Sequence, residues 1–175
     1  TVKDALASPR SDYSRVVLPP MSYVQEQDKI RNRWPAAQRY IREKGLNEFF
    51  GPKDGSVGII CQGGMYNGVV RALQRLGLAD IYGNSEIPLY VLNVTYPIVG
   101  DEFLEFCDGK SHVLVVEEGQ PDFLEQALGS ILYKAGSRVS LHGKDVLPMA
   151  GEYTGKVMLD GVEAFLRKAD LNLLP

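Results

Sequence analysis

From Ser56 onward, short β-rich apolar runs alternate with segments whose apolar residues recur at helical spacing, and this constrains the fold more than any other feature. The runs are Val57 to Cys61, Leu89 to Val94, His112 to Glu117 and Arg138 to His142. The first three are continuously apolar rather than alternating with polar residues, the pattern of strands covered on both faces. Parallel strands joined by crossover helices satisfy that need. The expected fold class is therefore α/β, a three-layer α/β/α sandwich around a mainly parallel sheet.

The intervening segments supply the covers. Val69, Ala72, Leu73 and Leu76 form a stripe that stops at Gly77, a residue able to take the left-handed cap. Phe103, Phe106 and Cys107 form a shorter one ending near Gly109. A third starts at Pro121, suited to a first helical position, and carries Leu124, Ala127, Leu128 and Ile131 toward Gly136. Met158, Val162, Phe165 and Leu166 predict a closing helix.

Residues 1–55 read differently, as a linker arm punctuated by Ser8-Pro9, Leu18-Pro19-Pro20 and Gly51-Pro52-Lys53-Asp54-Gly55. Within the arm, Trp34, Ala37 and Ile41 predict one amphipathic helix with Arg33, Arg39 and Arg42 on its other faces. With 175 residues, 45% of them hydrophobic, the chain can bury one sizeable core, placed in residues 56–175. The opening at Thr1, without a methionine, suggests a piece of a longer chain.

Composition removes several classes of function. A formal net charge of −3 supplies no positive field for a nucleic-acid backbone, so nucleic acid is not an expected partner. No apolar stretch is long enough to span a bilayer and no signal-peptide layout opens the chain, so no membrane association and a cytoplasmic location are expected. Cys61 and Cys107, the only cysteines, lack the spacing of a zinc or cluster site and read as small buried apolar residues. No metal ligand and no catalytic residue is assigned.

Four places concentrate polar chemistry. The first strand runs into Gln62-Gly63-Gly64-Met65-Tyr66-Asn67 and then a helix, a corner whose glycines and free N–H groups suit an anion or simply make a tight turn. It is neither a dinucleotide fingerprint nor a phosphate loop. The third strand ends in Glu117-Glu118-Gly119-Gln120-Pro121, at the edge where open α/β sheets meet ligands. Glu118 suits the positive end of the next helix or a contact between domains. Leu141-His142-Gly143-Lys144-Asp145 gathers an imidazole, an ammonium and a carboxylate, and Asn93-Val94-Thr95-Tyr96-Pro97 leaves its strand toward the same edge. The candidate ligand or domain-contact residues are Gly63, Gly64, Tyr66, Asn67, Tyr96, Glu118, His142 and Lys144.

Taken in order, the stretches Gly58 to Asn67, Leu92 to Pro97, Val113 to Pro121 and Leu141 to Asp145 resemble the indolepyruvate ferredoxin oxidoreductase family, in its fused single-chain form, within the 2-oxoacid:ferredoxin oxidoreductases. The resemblance covers about Ser56 to Thr154 and extends loosely to Leu18-Pro19-Pro20 and the Arg-rich helix. It implies a domain resembling the C-terminal domain of transketolase, a companion to the thiamine-binding domain that is inactive alone. The parent enzyme it implies decarboxylates arylpyruvates oxidatively to aryl-acetyl-CoA, using thiamine diphosphate, magnesium and iron-sulfur clusters, with ferredoxin and coenzyme A as partners. It also implies contacts with other domains or subunits, in a homo-oligomer. No Gly-Asp-Gly run with downstream asparagines and no Cys-x-x-Cys series occurs here, so no cofactor is expected on this chain itself. Two other readings stand beside it: an independent small-molecule or nucleotide-binding α/β module, and an assembly or dimerisation domain.

Overall fold

Alternate residues of three neighbouring strands feed two separate cores, and that division organises the molecule. The computed structural model describes residues 2–7, 16–169 and 174. Its strands are β1 (Glu48–Phe50), β2 (Val57–Gln62), β3 (Leu89–Leu92), β4 (His112–Val116) and β5 (Ser140–His142). They form one sheet in the order β1-β3-β2-β4-β5, parallel except for β1, which pairs antiparallel with β3.

Ile59, Cys61, Leu89, Val91, Leu114 and Val116 point to one face, where they meet α4 (Tyr66–Arg75) and α7 (Gly155–Ala169). Ile60, Tyr90, Leu92, Val113 and Val115 point to the other, against α5 (Gly100–Cys107) and α6 (Phe123–Lys134). Period-two side-chain direction thus converts continuously apolar strands into a doubly covered sheet. The α/β/α sandwich and mainly parallel sheet are as expected. Val69 and Leu73 of α4 and Val162, Phe165 and Leu166 of α7 are each fully buried, as their spacing predicts.

Two departures have physical reasons. Glu48–Phe50, inside the span read as an arm, is a strand: Phe49 stacks on Tyr90 with ring centroids 4.6 Å apart, and three residues are too few to show a period. Helix α6 begins at Phe123, two residues after Pro121, because a carboxylate caps it there, as described below. By compactness the chain forms two units, residues 1–40 and 41–175.

The first unit holds α1 (Val2–Ala7), α2 (Met21–Asp28) and a π turn over Lys29–Arg33 that leads into α3 (Trp34–Glu43). Pro35 lacks an N–H and crowds the carbonyl four residues before it, and the widened turn, closed by Trp34 N–H to the Lys29 carbonyl, accommodates both. Arg33 pairs with Asp28 at 3.0 Å. The Ser8-Pro9 break lies outside the described residues. No helix among the described residues is long and apolar enough to cross a membrane.

Candidate functional site

The connection from β2 moves to β3 on one side, and the chain then returns past β2 to β4 and β5 on the other. The strand order therefore reverses between β2 and β4, the position where open α/β sheets leave a crevice beyond their carboxyl ends. A hollow of about 500 Å³ lies there, lined by Gln62 at the end of β2, Thr95, Tyr96 and Ile98 after β3, Glu117 after β4, and Phe123, Leu124 and Ala127 of α6. Tyr96 and Phe123 on its walls are 68% and 66% exposed.

Glu117 is buried, yet its carboxylate accepts from the Leu124 N–H at 2.9 and 3.0 Å and from Glu125 N–H at 3.3 Å. A negative group on the open amides of a helix start is stabilised by both hydrogen bonds and the helix dipole. Glu118, the neighbour for which that role was one expectation, points elsewhere. Its Oε1 accepts the Tyr153 N–H at 2.5 Å, while its own N–H donates to Gln62 Oε1 at 3.4 Å. Consecutive residues at a strand end face opposite ways, so only one of them reaches the helix.

Lys144 joins the same corner. Its ammonium donates to the Glu117 carbonyl and to Tyr153 Oη at 2.7 Å, and Tyr153 Oη in turn donates to the Pro148 carbonyl at 2.7 Å. Lys144 N–H donates to Glu125 Oε2 at 2.9 Å. The structure thus brings Glu118 and Lys144 together through Tyr153, a residue for which the sequence carries no periodic signal.

His142 is not part of that surface. It is buried against the Phe165 ring, with centroids 5.6 Å apart, because β5 turns it inward beneath α7. Asp145 lies 2.8 Å from its Nδ1 and pairs with Lys168 at 2.7 Å. Burial pushes the Asp145 carboxyl up, but hydrogen bonds from His142, Lys168 and the Gly143 amide outweigh it and hold the group well below the usual range. An ionised carboxylate only accepts, so His142 Nδ1 carries the proton. Its Nε2 is then the acceptor for His112 Nδ1, 3.1 Å away.

The glycine corner is a packing device first. A Cβ on Gly63 would come 2.5 Å from Asn93 Oδ1, whereas nothing lies within 4 Å of one on Gly64. Asn93 itself donates to the Leu46 carbonyl at 2.9 Å and to Glu48 Oε2 at 2.8 Å, tying β3 to the edge strand. Tyr66 is half-buried on the Phe50 ring with centroids 4.9 Å apart, and Asn67 is exposed. Neither shares a described contact with Glu118 or Lys144. Cys61 and Cys107 are buried, and burial pushes both thiols up to about 12, far from a reactive thiolate. Among the described residues no three His, Cys, Asp or Glu side chains converge as metal ligands, so no residue here is assigned to magnesium or to a cluster.

A doubly covered, mainly parallel sheet with a hollow at its carboxyl edge defines an α/β sandwich domain. Its fold recurs in a 2-oxoglutarate:ferredoxin oxidoreductase from Magnetococcus marinus, with a TM-score of 0.53, 14% identity, and 85% of this chain against 24% of that one. A split-gene transketolase gives a TM-score of 0.50 and 17% identity over 70% of this chain and 42% of that one. Sequence narrows the class. The indolepyruvate oxidoreductase domain matches residues 47–165. Indolepyruvate oxidoreductase subunit IorA of Thermococcus kodakarensis is 33% identical over 69% of this chain, and that of Methanothermobacter thermautotrophicus is 30% identical over 95%. The chain belongs to the indolepyruvate oxidoreductase domain family. It spans 18% and 27% of the length of those two subunits.

Proposed function

We propose that this chain serves as the companion domain of a thiamine-diphosphate-dependent indolepyruvate:ferredoxin oxidoreductase, shaping and supporting the reaction site without contributing a reacting group. The observation that carries the reading is the self-satisfied rim. Glu117 caps α6, Glu118 holds the Tyr153 amide, and Lys144 bridges the Glu117 carbonyl and Tyr153, so each is already engaged in the chain's own structure. What remains presentable at the carboxyl edge is shape: the hollow and the exposed rings of Tyr96 and Phe123. Family membership supports the oxidoreductase assignment.

In this reading the parent enzyme holds thiamine diphosphate, magnesium and iron-sulfur clusters in its other parts, and meets coenzyme A and ferredoxin there. A likeness in fold to an oxidoreductase solved with 2-oxoglutarate, coenzyme A and succinyl-CoA bound supports that setting. The rim residues Tyr96, Glu118 and Lys144 face a neighbouring domain or subunit of a homo-oligomer in the cytoplasm. Substrate is an arylpyruvate, released as the aryl-acetyl-CoA.

The test is an assay of the chain supplied with thiamine diphosphate, magnesium, coenzyme A, indolepyruvate and a viologen acceptor. No indolepyruvate-dependent reduction is expected until the rest of the enzyme is added. Turnover by the chain alone overturns the proposal. The hollow at the strand-order reversal favours one rival, an independent nucleotide-binding module. Calorimetry separates the two: tight binding of a nucleotide to this chain supports the rival.

A further inference from the structure

We infer that a second binding site, for a small carboxylate with a flat apolar body, lies at the opposite edge of the sheet around Lys110. A hollow of about 320 Å³ opens there between the edge strand β1 and the end of α5, lined by Phe49, Pro52, Pro88, Phe106 and Lys110 among others. It sits at the amino ends of the parallel strands, since β3 starts at Leu89 and β4 at His112. The carboxyl-edge hollow shares no residue with it.

Lys110 is the feature that needs an explanation. It is 8% exposed, and among the described residues its ammonium, with three N–H groups, makes one hydrogen bond, to the Lys53 carbonyl at 3.3 Å. The charge lies 4.7 Å above the Phe106 ring and forms no ion pair among the described residues. The stem of Lys110 is buried while its ammonium borders the hollow, which places a positive charge on an otherwise largely apolar wall. Burial lowers its pKa, opposed by Cys107, Asp54 and Asp108, none of which closes on it as a salt bridge. Glu105, also on the wall, is already held by Arg42 at 2.5 Å.

The position is built. A Cβ on Gly58 would come 2.7 Å from Phe106 Cζ and 2.9 Å from Lys110 Cε, so the bare glycine of the central strand makes room for both the ring and the lysine stem. Phe49 is held face-on to Tyr90 and 6.3 Å from the Phe106 centroid, leaving a half-exposed aromatic wall beside the ammonium. Two prolines complete the apolar lining. A carboxylate accepts a charge-assisted hydrogen bond from the Lys110 ammonium, and a planar body lies on the rings. The volume, at the small end for ligand sites, suits a molecule of one ring and a short chain.

The probe is 3-phenylpropionate, with its neutral amide as control, titrated into the ¹⁵N-labelled 175-residue chain. Saturable shifts are expected at the amides of Phe49, Lys53, Leu89, Phe106 and Lys110. The amide and the Lys110→Met variant, whose stem keeps the packing, are each expected to weaken binding about tenfold, the worth of one charge-assisted hydrogen bond. Absence of saturable shifts at these amides overturns the inference. So does equal binding of acid and amide, a comparison made in the unsubstituted chain and therefore independent of how the variant folds.

Discussion

Lys144 is the residue on which the rim turns, because its ammonium ties the end of β4 to the loop before α7 through the Glu117 carbonyl and Tyr153 Oη. Hydrogen bonds to a charged donor outweigh neutral ones, so Lys144→Met is expected to lower stability by about 1–2 kcal/mol. Urea denaturation measures the loss, and an unchanged midpoint contradicts the bridging role. Tyr153→Phe removes the shared partner, so the two substitutions are expected to be less than additive in a double-mutant cycle. The imidazoles make a different prediction. Burial, and the neighbouring His142, hold His112 below its usual value. The unfolded chain then binds more protons than the folded one between the two values. Stability from this group is therefore fully present above about pH 6.5, the ordinary histidine value, and is lost as pH falls through the lower folded-state value. Denaturation midpoints across that window should fall for the natural chain and flatten for His112→Gln.

At the scale of elements, α6 owes its start to a residue six positions upstream. Glu117→Gln replaces a carboxylate on three amide contacts with a neutral group that cannot accept at both ends. A loss of about 1–2 kcal/mol is expected, near the upper range for helix caps. Hydrogen exchange should show it first at the amides of Leu124 and Glu125, and full protection there would contradict the capping role. The same element displays the reach and the limit of pattern reading. The stripe Leu124, Ala127, Leu128 and Ile131 is legible at period 3.6, as is its stop near Gly136, whose φ of 64° needs glycine. Its start is not, because a cap supplied by the previous strand leaves no local signature. Strand β1 is illegible for a related reason: Phe49 earns its place by stacking on Tyr90, a residue 41 positions away.

Considered as a whole molecule, residues 41–175 carry both cores and all five strands. A chain of those residues alone is expected to unfold in one cooperative transition by circular dichroism and fluorescence, with the two probes coincident. Separate transitions would place part of the sandwich's stability in residues 1–40. Of the candidate site, the sequence alone placed Tyr96, Glu118 and Lys144 on one edge, since three strands ending in polar loops must release them on the same side. The architecture and the family resemblance were determined by the sequence too, because burial on two faces leaves its record directly in side-chain polarity. Tertiary structure decided the rest. Only packing shows that His142 turns inward to His112 and Asp145, that Glu117 and not Glu118 meets the helix, and that Lys110 lies over Phe106. Each of these depends on partners brought together from different elements, and sequence order carries no measure of distance between such residues.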